Sequence, residues 1–515
     1  MNKIITLIFI LLSISISTYG ATYKEMIEDY EAYQPPSYYD SQLKSSQADE
    51  VLDRQDSFKQ DLQVIDKLKS NWVDSLGTQN DESSFYNINE DLSSSLKGIA
   101  ADDVATHSKF SKKFSLETLE ALVFLRNPSI RSAENQFIAT TEQFSQVANL
   151  DEILRQYGAF TEGSSPGVGP MKGRDPISSR FPYPGVMSLK SQIVDRSVEM
   201  SKEDLEIARR ETITEARKAY WSLQYVHRAY SILDETLALL THLEGVATSR
   251  YESGKTSYQD VVKIRISKET LAEDLNSLKQ KQINIEIKIL ELLNLSPDLK
   301  VGRPTTKTLD KVSPNLEKLF DVANENRQEL RKIRANIDKM ELMVELGETM
   351  IIPPYTLNLS LYKDEAVNQV GTFNNKETFA VSTSSSKGAG LPKSPWYGTN
   401  DAYLRETRRK IAAQKDNLAM IEAKTATMVR TAWFELDKAI REETLYAKTV
   451  VELSQTSLEV STRAYESGKV AFADVIASYD LWLKSNLTLQ KKRSNIGIFN
   501  AELKRRIGKN DVHQL

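Results

Sequence analysis

The chain has 515 residues, no cysteine and a formal net charge of −4, from 67 Lys and Arg against 71 Asp and Glu. Without cysteine it can form neither a disulfide nor a thiolate metal site, and without an excess of positive charge it lacks the electrostatic basis for a nucleic-acid partner. Only 20 glycines and 15 prolines occur over this length, which favours long helices over a loop-rich all-β chain.

The first residues have the pattern of a secretory signal peptide. Lys3 precedes an apolar run from Ile4 to Ile16, and the small residues Thr18 and Gly20 permit cleavage. An anchoring membrane helix would need about 20 apolar residues, which is longer than this run. We therefore predict a signal peptide over residues 1–21. Elsewhere no stretch is apolar enough for a spanning helix, so any membrane crossing would be made by β-strands.

Residues 22–113 form a polar extension, rich in Tyr, Ser, Asp and Gln, that matches no other part of the chain. Apolar residues at helical intervals from Val51 to Trp72 predict one amphipathic helix within it. Two interpretations remain open: a linker that packs on the outside of the main body, or an arm that binds a partner.

A mainly helical region begins at Ser115, a candidate N-cap, and the Asn127-Pro128 pair predicts a kink or a second helix. After a stretch rich in Gly and Pro, from 158 to 185, two long helical patterns follow on either side of Gly254. The apolar residues of the second pattern recur at mixed threes and fours, which is coiled-coil spacing. Helices of this length cannot bury themselves in a globule, so each must pack against its partner and its neighbours.

The turn between these helices occurs twice in the chain. Tyr251-Glu-Ser-Gly-Lys255 returns as Tyr465-Glu-Ser-Gly-Lys469, and Asp-Val follows each glycine at the same interval. The offset in sequence number, 465 − 251 = 214, is far longer than solenoid repeats of about 20 to 50 residues. Each copy is therefore predicted to be a whole half of the molecule.

Two further pairs of similar segments occur in the same order in both halves and extend the duplication. Arg217-Lys-Ala-Tyr-Trp matches Arg430-Thr-Ala-Trp-Phe at an offset of 430 − 217 = 213. Leu116-Glu-Thr-Leu matches Leu316-Glu-Lys-Leu at an offset of 316 − 116 = 200. The predicted organisation is a first repeat over 114–300, a second repeat over 301–508 and a tail over 509–515.

An insertion in the second repeat has the alternation of a β-strand. Apolar and polar residues alternate from Tyr355 to Tyr362, and a weaker return strand covers Thr378 to Ser382. The matching segment of the first repeat, Arg180 to Ser188, carries prolines suited to edges or turns. Two strands per repeat would give about four per chain, whereas a transmembrane barrel needs about eight or more. Three chains together would satisfy that number, so the pattern predicts an oligomer.

No constellation of residues indicates an enzyme or a metal site. The histidines, His107, His227, His242 and His513, lack the spacing of metal ligands. Neither a Gly-x-Ser-x-Gly elbow nor a phosphate-binding loop occurs in the sequence. We expect no catalytic activity and no cofactor.

The doubled turn, the Leu-Glu-x-Leu opening before Asn127-Pro128, the helix start at Ala402-Tyr-Leu-Arg405 and the signal peptide together resemble the TolC-like outer-membrane efflux protein family. The likeness covers residues 114–508, and the doubled turn is its specific part. It implies a mainly α fold with a small β part. Duplicated long-helix hairpins would form a trimeric periplasmic α-barrel, and each chain would add about four strands to one outer-membrane β-barrel.

The resemblance also implies a function. The protein would be the outer-membrane channel of a tripartite efflux system, a passive exit duct for substrates that an inner-membrane pump exports through a periplasmic adaptor, or membrane fusion protein. It would be a homotrimer in contact with outer-membrane lipid, extending into the periplasm, with no nucleic-acid partner. The alternatives are a channel for type I protein secretion and a secreted coiled-coil spacer of the cell envelope that forms no pore. A spacer has no use for the strand insertion.

The resemblance assigns the two turns to the periplasmic tip, where the adaptor would dock. The docking residues are Tyr251, Glu252, Ser253, Gly254, Lys255, Tyr465, Glu466, Ser467, Gly468 and Lys469. Asp474 takes the position of an acidic ring in the pore constriction, and Asp260 is its counterpart in the first hairpin, held in the family by a tyrosine that matches Tyr465. Converging carboxylates on an axis would attract cations.

Two positions depart from the family pattern. Val470 replaces the basic latch residue, so a closing contact to Asp260 would have to come from Lys469. Ala477 replaces the second acidic ring, which makes the constriction less charged.

A simpler interpretation of the turns also stands. Gly254 and Gly468 could be ordinary helix stops, because glycine commonly follows the last helical residue. Asp260 and Asp474 could serve only to stabilise the N-termini of the helices that follow, through the helix dipole.

Overall fold

The computed structural model describes residues 60, 63–75, 84–147, 186–254, 256–307, 314–351, 357–362, 380–385 and 396–510. The predicted signal peptide, the Gly- and Pro-rich stretch from 158 to 185, Lys255 and residues 511–515 lie outside them. Among the described helices, none combines the length and apolarity needed to cross a membrane.

Helices make up most of the described chain, so the predicted mainly α fold with a small β part is confirmed. The helices before the midpoint are α1 (Glu90–Ala100), α2 (Asp103–Phe110), α3 (Leu116–Arg126), α4 (Pro128–Thr141), α5 (Gln143–Val147), α6 (Val186–Glu252) and α7 (Tyr258–Leu292). Those after it are α8 (Leu316–Asn326), α9 (Gln328–Ile351), α10 (Trp396–Leu445), a π turn (Tyr446–Val450), α11 (Val451–Glu466) and α12 (Phe472–Ile507). The strands are β1 (Lys113–Phe114), β2 (Arg303–Pro304), β3 (Leu357–Tyr362) and β4 (Ala380–Ser385).

The chain divides into two compact units, and each takes residues from both halves of the sequence. The first comprises Met1–Gly77, Gln136–Lys202 and Lys332–Met420, and the second comprises Thr78–Asn135, Glu203–Arg331 and Ile421–Leu515. The hairpin turns at Gly254 and Gly468 both belong to the second unit.

In the first unit, strands β3 and β4 pair antiparallel, with Leu357 opposite Ser385 and Tyr362 opposite Ala380. The predicted strand pair is therefore present, and its return strand begins two residues later than the alternation indicated. The helix predicted around Trp72 is also present, over residues 63–75. The Trp72 indole donates to the Asp195 carboxylate at 2.7 Å and lies edge-on to Phe137.

The second unit shows the duplication in its helix starts. Helices α3 and α8 are both 11 residues long. The side chain of Ser115 accepts a hydrogen bond from the backbone of Thr118 at 3.2 Å, and Asn315 accepts one from Glu317 at 2.9 Å. A side chain that satisfies a free N–H in this way sets where a helix begins. The Asn127-Pro128 pair then separates α3 from α4, as predicted.

The helix ends repeat as well. Asn294 follows α7 with φ of 52°, and Gly508 follows α12 with φ of 76°, so the chain leaves both helices through the left-handed region. Glycine tolerates this conformation because it has no Cβ, and asparagine is the usual substitute. The difference in sequence number, 508 − 294, equals the offset of the hairpin turns.

The π turn accounts for a change in that offset. The offset is 213 at Arg217 and Arg430 and 214 at Tyr251 and Tyr465, so the second copy gains one residue between these points. The π turn Tyr446–Val450 lies within that interval, whereas α6 is α-helical throughout. A π turn holds one more residue than an α turn. The extra residue is therefore absorbed within the helix. The aromatic motif after Arg430 and the turn after Tyr465 can then keep the same helical positions as their counterparts after Arg217 and Tyr251.

The end of the polar extension packs into the second unit. Phe110 and Phe114 are buried in one apolar cluster with Leu119, Leu122 and Tyr220. Strand β1 pairs with β2 in parallel, which ties the end of the extension to the start of the predicted second repeat. Residues 84–114 are thus part of the folded body, with Phe110 and Phe114 inside its core.

Candidate functional site

The predicted site is the pair of turns that joins α6 to α7 and α11 to α12, called here the first and second hairpin. In both, the glycine has a positive φ, 67° at Gly254 and 78° at Gly468. Each glycine N–H donates to the carbonyl three residues earlier, Tyr251 or Tyr465, at 2.9 Å. The repeated Tyr-Glu-Ser-Gly sequence therefore builds the same turn twice, and the left-handed φ explains why glycine is needed there.

Each turn carries a matched pair of aromatic rings that span it. The rings of Tyr251 and Tyr258 have centroids 5.3 Å apart, and those of Tyr465 and Phe472 have centroids 5.2 Å apart. Their environments differ. Tyr465 and Phe472 are 2% and 1% exposed, whereas Tyr251 and Tyr258 are 45% and 52% exposed.

The buried pair is covered by the first hairpin. Tyr465 and Phe472 belong to an apolar cluster with Leu243, Ala247, Val261, Ile264 and Val475. The second hairpin thus presses its aromatic pair against the side of the first, close to both turns. Burial of two large rings is a substantial apolar contact, because a fully buried side chain of this size contributes about 1.5–3 kcal/mol.

Arg250 adds polar interactions to this apolar contact between the hairpins. Its Nη1 donates to the carbonyl oxygens of Tyr465 at 2.7 Å and of Glu466 at 3.2 Å, and its guanidinium carbon lies 4.8 Å from the centre of the Tyr465 ring. The last carbonyls of a helix have no partner within the helix and form the negative end of its dipole. Arg250, in the last turn of α6, therefore caps the C-terminus of α11.

Arg250 was not among the predicted site residues. The residue at the same place in the second copy is Ala464, so the two copies differ where one contacts the other. That difference within an otherwise matched motif is the signal that could have identified Arg250.

Asp260 lies in the first turn of α7, where its carboxylate accepts a hydrogen bond from the Thr256 hydroxyl. The hydrogen bond from Tyr465 to Asp260 that the resemblance implies is not among the described contacts; the Tyr465 hydroxyl is buried, and the Thr256 hydroxyl lies close to it. Burial raises the pKa of Tyr465, and the nearby charge of Asp260 raises the pKa further, while the Thr256 hydroxyl and the charge of Arg250 oppose the shift.

Asp474 lies in the first turn of α12 and is exposed. Within the described residues its carboxylate has no hydrogen bond or ion pair. Lys469 is also exposed and, over the same ranges, makes no ion pair with Asp260; its backbone N–H donates to Ala464 at 2.8 Å. The replacement of the latch by Lys469 is therefore not seen, and a polar contact beside the two turns comes instead from Arg250.

The remaining tip residues are exposed. Glu252 and Ser253 of the first turn, and Glu466 and Ser467 of the second, project from the turns with their side chains accessible. An open groove of about 400 Å³ adjoins them, lined by His242, Gly245, Val246, Ser249, Arg250 and Glu466. The turns thus present exposed acidic and hydroxyl side chains beside this groove.

The stems of the two hairpins are held differently. In the first, Glu244 pairs with both Arg265 and Lys268 at 2.9 Å, and these cations lower the pKa of its carboxyl group. In the second, the hydroxyls of Ser457 and Ser461 contact that of Ser478 at 3.2 and 2.8 Å. The ion pairs of the first stem are solvent-accessible, so added salt should weaken them. The hydroxyl contacts of the second stem join uncharged groups, so salt should affect them little.

No protein-family model matches the chain, and a search of curated proteins finds no match. Solved structures do match. The outer-membrane channel OprN is 15% identical, with a TM-score of 0.60 over 84% of this chain and 94% of that one. The outer membrane protein VceC of Vibrio cholerae is 13% identical, with a TM-score of 0.56 over 77% of this chain and 97% of that one.

The outer membrane channel MtrE of Neisseria gonorrhoeae, in its open state, is 15% identical, with a TM-score of 0.54 over 77% of this chain and 89% of that one. The match spans nearly the full length of each of these structures. At these identities the likeness is one of fold. The chain has a TolC-like fold, as the resemblance in its sequence predicted.

Proposed function

We propose that this protein is an outer-membrane efflux channel that works as a passive exit duct. The observation that carries the proposal is the pair of matched turns at Gly254 and Gly468, placed on long helices in the fold of OprN, VceC and MtrE, which are described as an outer-membrane channel, an outer membrane protein and an outer membrane channel. As an exit duct, the chain would move substrate without chemistry of its own.

In this proposal the working form is a homotrimer that extends from the outer membrane into the periplasm. Strands β3 and β4 would contribute to the membrane-embedded part, and the hairpins would form the periplasmic end. The exposed turn residues would dock a periplasmic adaptor, which joins the channel to an inner-membrane pump. The β3–β4 pair favours a channel over a coiled-coil spacer, because a spacer needs no such strands.

Asp474 would line the constriction at the periplasmic end. Its exposed carboxylate, unpaired among the described residues, would meet two copies of itself on the threefold axis, where like charges repel unless a cation lies between them. Asp260 would play a lesser part, since its carboxylate is half-buried and accepts a hydrogen bond from the Thr256 hydroxyl. The second role proposed for both aspartates, stabilising the helix N-terminus, is compatible with their first-turn positions.

Membrane fractionation and mass measurement test this proposal. The full chain should appear in the outer-membrane fraction and, after extraction in detergent, have the mass of three chains. A control chain with Gly468→Pro should still reach the membrane, because in this proposal the turn would lie outside the membrane-embedded part. A full chain found as a water-soluble monomer in the periplasm would contradict the channel and favour the spacer.

A further inference from the structure

Exposed positive charge collects where strand β1 pairs with strand β2. Lys113 lies opposite Arg303 in the register of this pair, and the backbone N–H of Arg303 donates to the carbonyl of Lys112 at 2.9 Å. Beside it, the Nε2 atom of His107 lies 3.1 Å from the carbonyl oxygen of Lys300. Five exposed cations at this place are here called the basic ribbon: Lys109, Lys112, Lys113, Lys300 and Arg303.

Gly302 permits the two segments of the ribbon to approach each other closely. Its N–H donates to the carbonyl of Phe110 at 2.6 Å, and a Cβ on Gly302 would lie 2.0 Å from the carbonyl oxygen of Lys112. Two backbones can come this close only where no side chain lies between them. Gly302 therefore brings cations from distant parts of the sequence together on one small surface.

The segments that meet at the ribbon contain no acidic residue. Asp and Glu are missing from three stretches of the sequence: 104–116, 216–233 and 299–307. The second stretch belongs to α6, which contacts the third through side chains. Gln224 donates to the carbonyl of Thr305 at 3.4 Å, and Arg228 donates to the hydroxyl of Thr306 at 3.2 Å. No carboxylate of these three stretches can therefore neutralise the ribbon.

The acidic residues closest in sequence to the ribbon leave most of its charge uncompensated. Asp103 pairs with Arg126, and Glu117 pairs with Lys307. Asp298 is exposed and offsets one charge. Over the ranges that the structure describes, no cation of the ribbon makes an ion pair.

The effect of this charge reaches α6. Burial lowers the pKa of His227, and the charge of Arg303 lowers it further. A neighbouring carboxylate would have the opposite effect, so His227 lies in a positive environment.

We propose that the basic ribbon binds the carboxylate-bearing peptide stems of peptidoglycan and thereby holds the channel in the cell wall. The inference rests on the proposed function, which places the helices of the second unit in the periplasm. Clustered cations raise the local concentration of an anionic partner through their combined field. A polymer that repeats its carboxylates can engage several of these cations at once.

The place of the ribbon in the fold favours this partner over a lipid surface. The ribbon belongs to the second unit together with the hairpin turns, whereas strands β3 and β4 belong to the first. In the proposed function it is these strands that meet lipid. The ribbon is also remote from the turns, because α7 separates them with 35 residues, which is about 50 Å of helix. A partner bound at the turns therefore need not cover it.

The proposal gives the extension a binding role in addition to its packing. Phe110 and Phe114 are buried in the core, while Lys112 and Lys113 between them are exposed. With Lys109, the extension supplies three of the five cations of the ribbon. A trimer would present three copies of the ribbon, and several weak contacts with one polymer give a firm attachment.

Co-sedimentation of the full-length protein with purified peptidoglycan sacculi tests the proposal. The detergent-purified protein should pellet with the sacculi at low ionic strength, and added salt should release it. A triple variant, Lys109→Gln, Lys112→Gln and Lys113→Gln, should bind about tenfold more weakly. The matched control removes the same charge from exposed lysines elsewhere in the second unit, with Lys263→Gln, Lys279→Gln and Lys424→Gln, and should bind like the parent. Unchanged helical circular dichroism in both variants shows that a loss of binding is not unfolding.

Chemical modification of the sacculi identifies the group that is recognised. Amidation of their carboxyl groups with a carbodiimide and ethanolamine should abolish co-sedimentation, because it removes the negative charge. Equal binding of amidated and untreated sacculi would contradict the proposal. A parent protein that binds phosphatidylglycerol vesicles through the three lysines and leaves sacculi unbound would assign the ribbon to lipid phosphates and overturn it.

Mass measurement and fractionation of the same proteins separate this inference from the proposed function. An outer-membrane trimer that does not bind sacculi, or that binds them equally well in both triple variants, would overturn the role of the ribbon and leave the channel intact. A water-soluble monomer that binds sacculi through the three lysines would overturn the channel and support the ribbon. A water-soluble monomer that does not bind would overturn both.

Discussion

The Arg250 guanidinium donates to the Tyr465 backbone carbonyl at 2.7 Å and lies 4.8 Å from the centre of the Tyr465 ring. One side chain of the first hairpin thus holds both the backbone and the aromatic ring of the second. The contact combines a charge-assisted hydrogen bond with a cation over a ring face. It lies beside both turns, where separation of the hairpins would begin.

Arg250→Ala should loosen the tip. The variant loses hydrogen bonds from a charged donor, worth about 1.5–3 kcal/mol, and leaves the last carbonyls of α11 without that partner. We expect a larger leak current in planar bilayers than for the parent protein. Arg250→Lys should recover only part of the closed behaviour, because an ammonium group can donate to the carbonyls but lacks the planar guanidinium that lies over the Tyr465 ring. If the parent, Arg250→Ala and Arg250→Lys proteins had equal leak currents, Arg250 would not contribute to closing the channel.

Asp474→Ala should reduce the preference of the pore for cations. The physical reason is the loss of one unpaired carboxylate per chain from the proposed constriction. Reversal potentials under a salt gradient measure the preference directly. Asp260→Ala serves as the matched control and should change selectivity less, because Asp260 is half-buried whereas Asp474 is exposed. An unchanged reversal potential for Asp474→Ala would show that Asp474 does not line the pore constriction, and its remaining role would be to stabilise the N-terminus of α12.

Gly254→Pro and Gly468→Pro should each abolish cross-linking of the tip to its adaptor. Proline requires a φ near −65°, whereas the two glycines have φ of 67° and 78°, so the turns must rearrange. Trimers should persist, because the helices above the turns are unchanged. Adaptor cross-linking at the parent level in both variants would show that docking does not use the turns.

Gly497→Ala should destabilise the folded chain. A Cβ at Gly497 would overlap the indole of Trp221, which is buried beside it. Overpacking of this kind costs about 1–3 kcal/mol. The thermal midpoint in detergent, followed by circular dichroism, should fall. Adding Trp221→Phe should recover part of the loss, and a double variant as unstable as the sum of both changes would argue against the overlap.

Acid should remove a stabilising contribution from Glu329. Burial opposes ionisation of this carboxyl, but hydrogen bonds and charge from Arg210 and then Arg327 outweigh it and hold the pKa well below the ordinary 4.5. A lowered folded-state pKa means that the contribution is complete above pH 4.5 and declines as the pH falls below it. The difference in unfolding midpoint between the parent protein and Glu329→Gln should therefore shrink below that pH. A difference that stays constant or grows would contradict this assignment.

The sequence predicts the duplicated turns well because their conformation is local. Gly254 and Gly468 need a left-handed φ, and the neighbouring residues repeat, so the same turn forms in both copies. The helix starts at Ser115 and Asn315 are equally local, since each depends on one side chain that caps its own helix.

The unequal burial of the two aromatic pairs could not be predicted in this way. Tyr251 and Tyr465 begin the same five-residue run, Tyr-Glu-Ser-Gly-Lys, yet one is exposed and the other buried. The difference depends on which side of each hairpin meets its neighbour, and tertiary packing decides that. The π turn was missed for a related reason, because a one-residue insertion in a helix alters the hydrophobic period too little to be noticed.

Single-channel recording from the purified full-length protein in planar bilayers tests the central claim most directly. The account predicts discrete conductance steps that prefer cations, carried by particles with the mass of three chains. A pure and folded trimer that inserts into the bilayer and passes no ions under any applied potential, in the parent form and in Arg250→Ala alike, would contradict it.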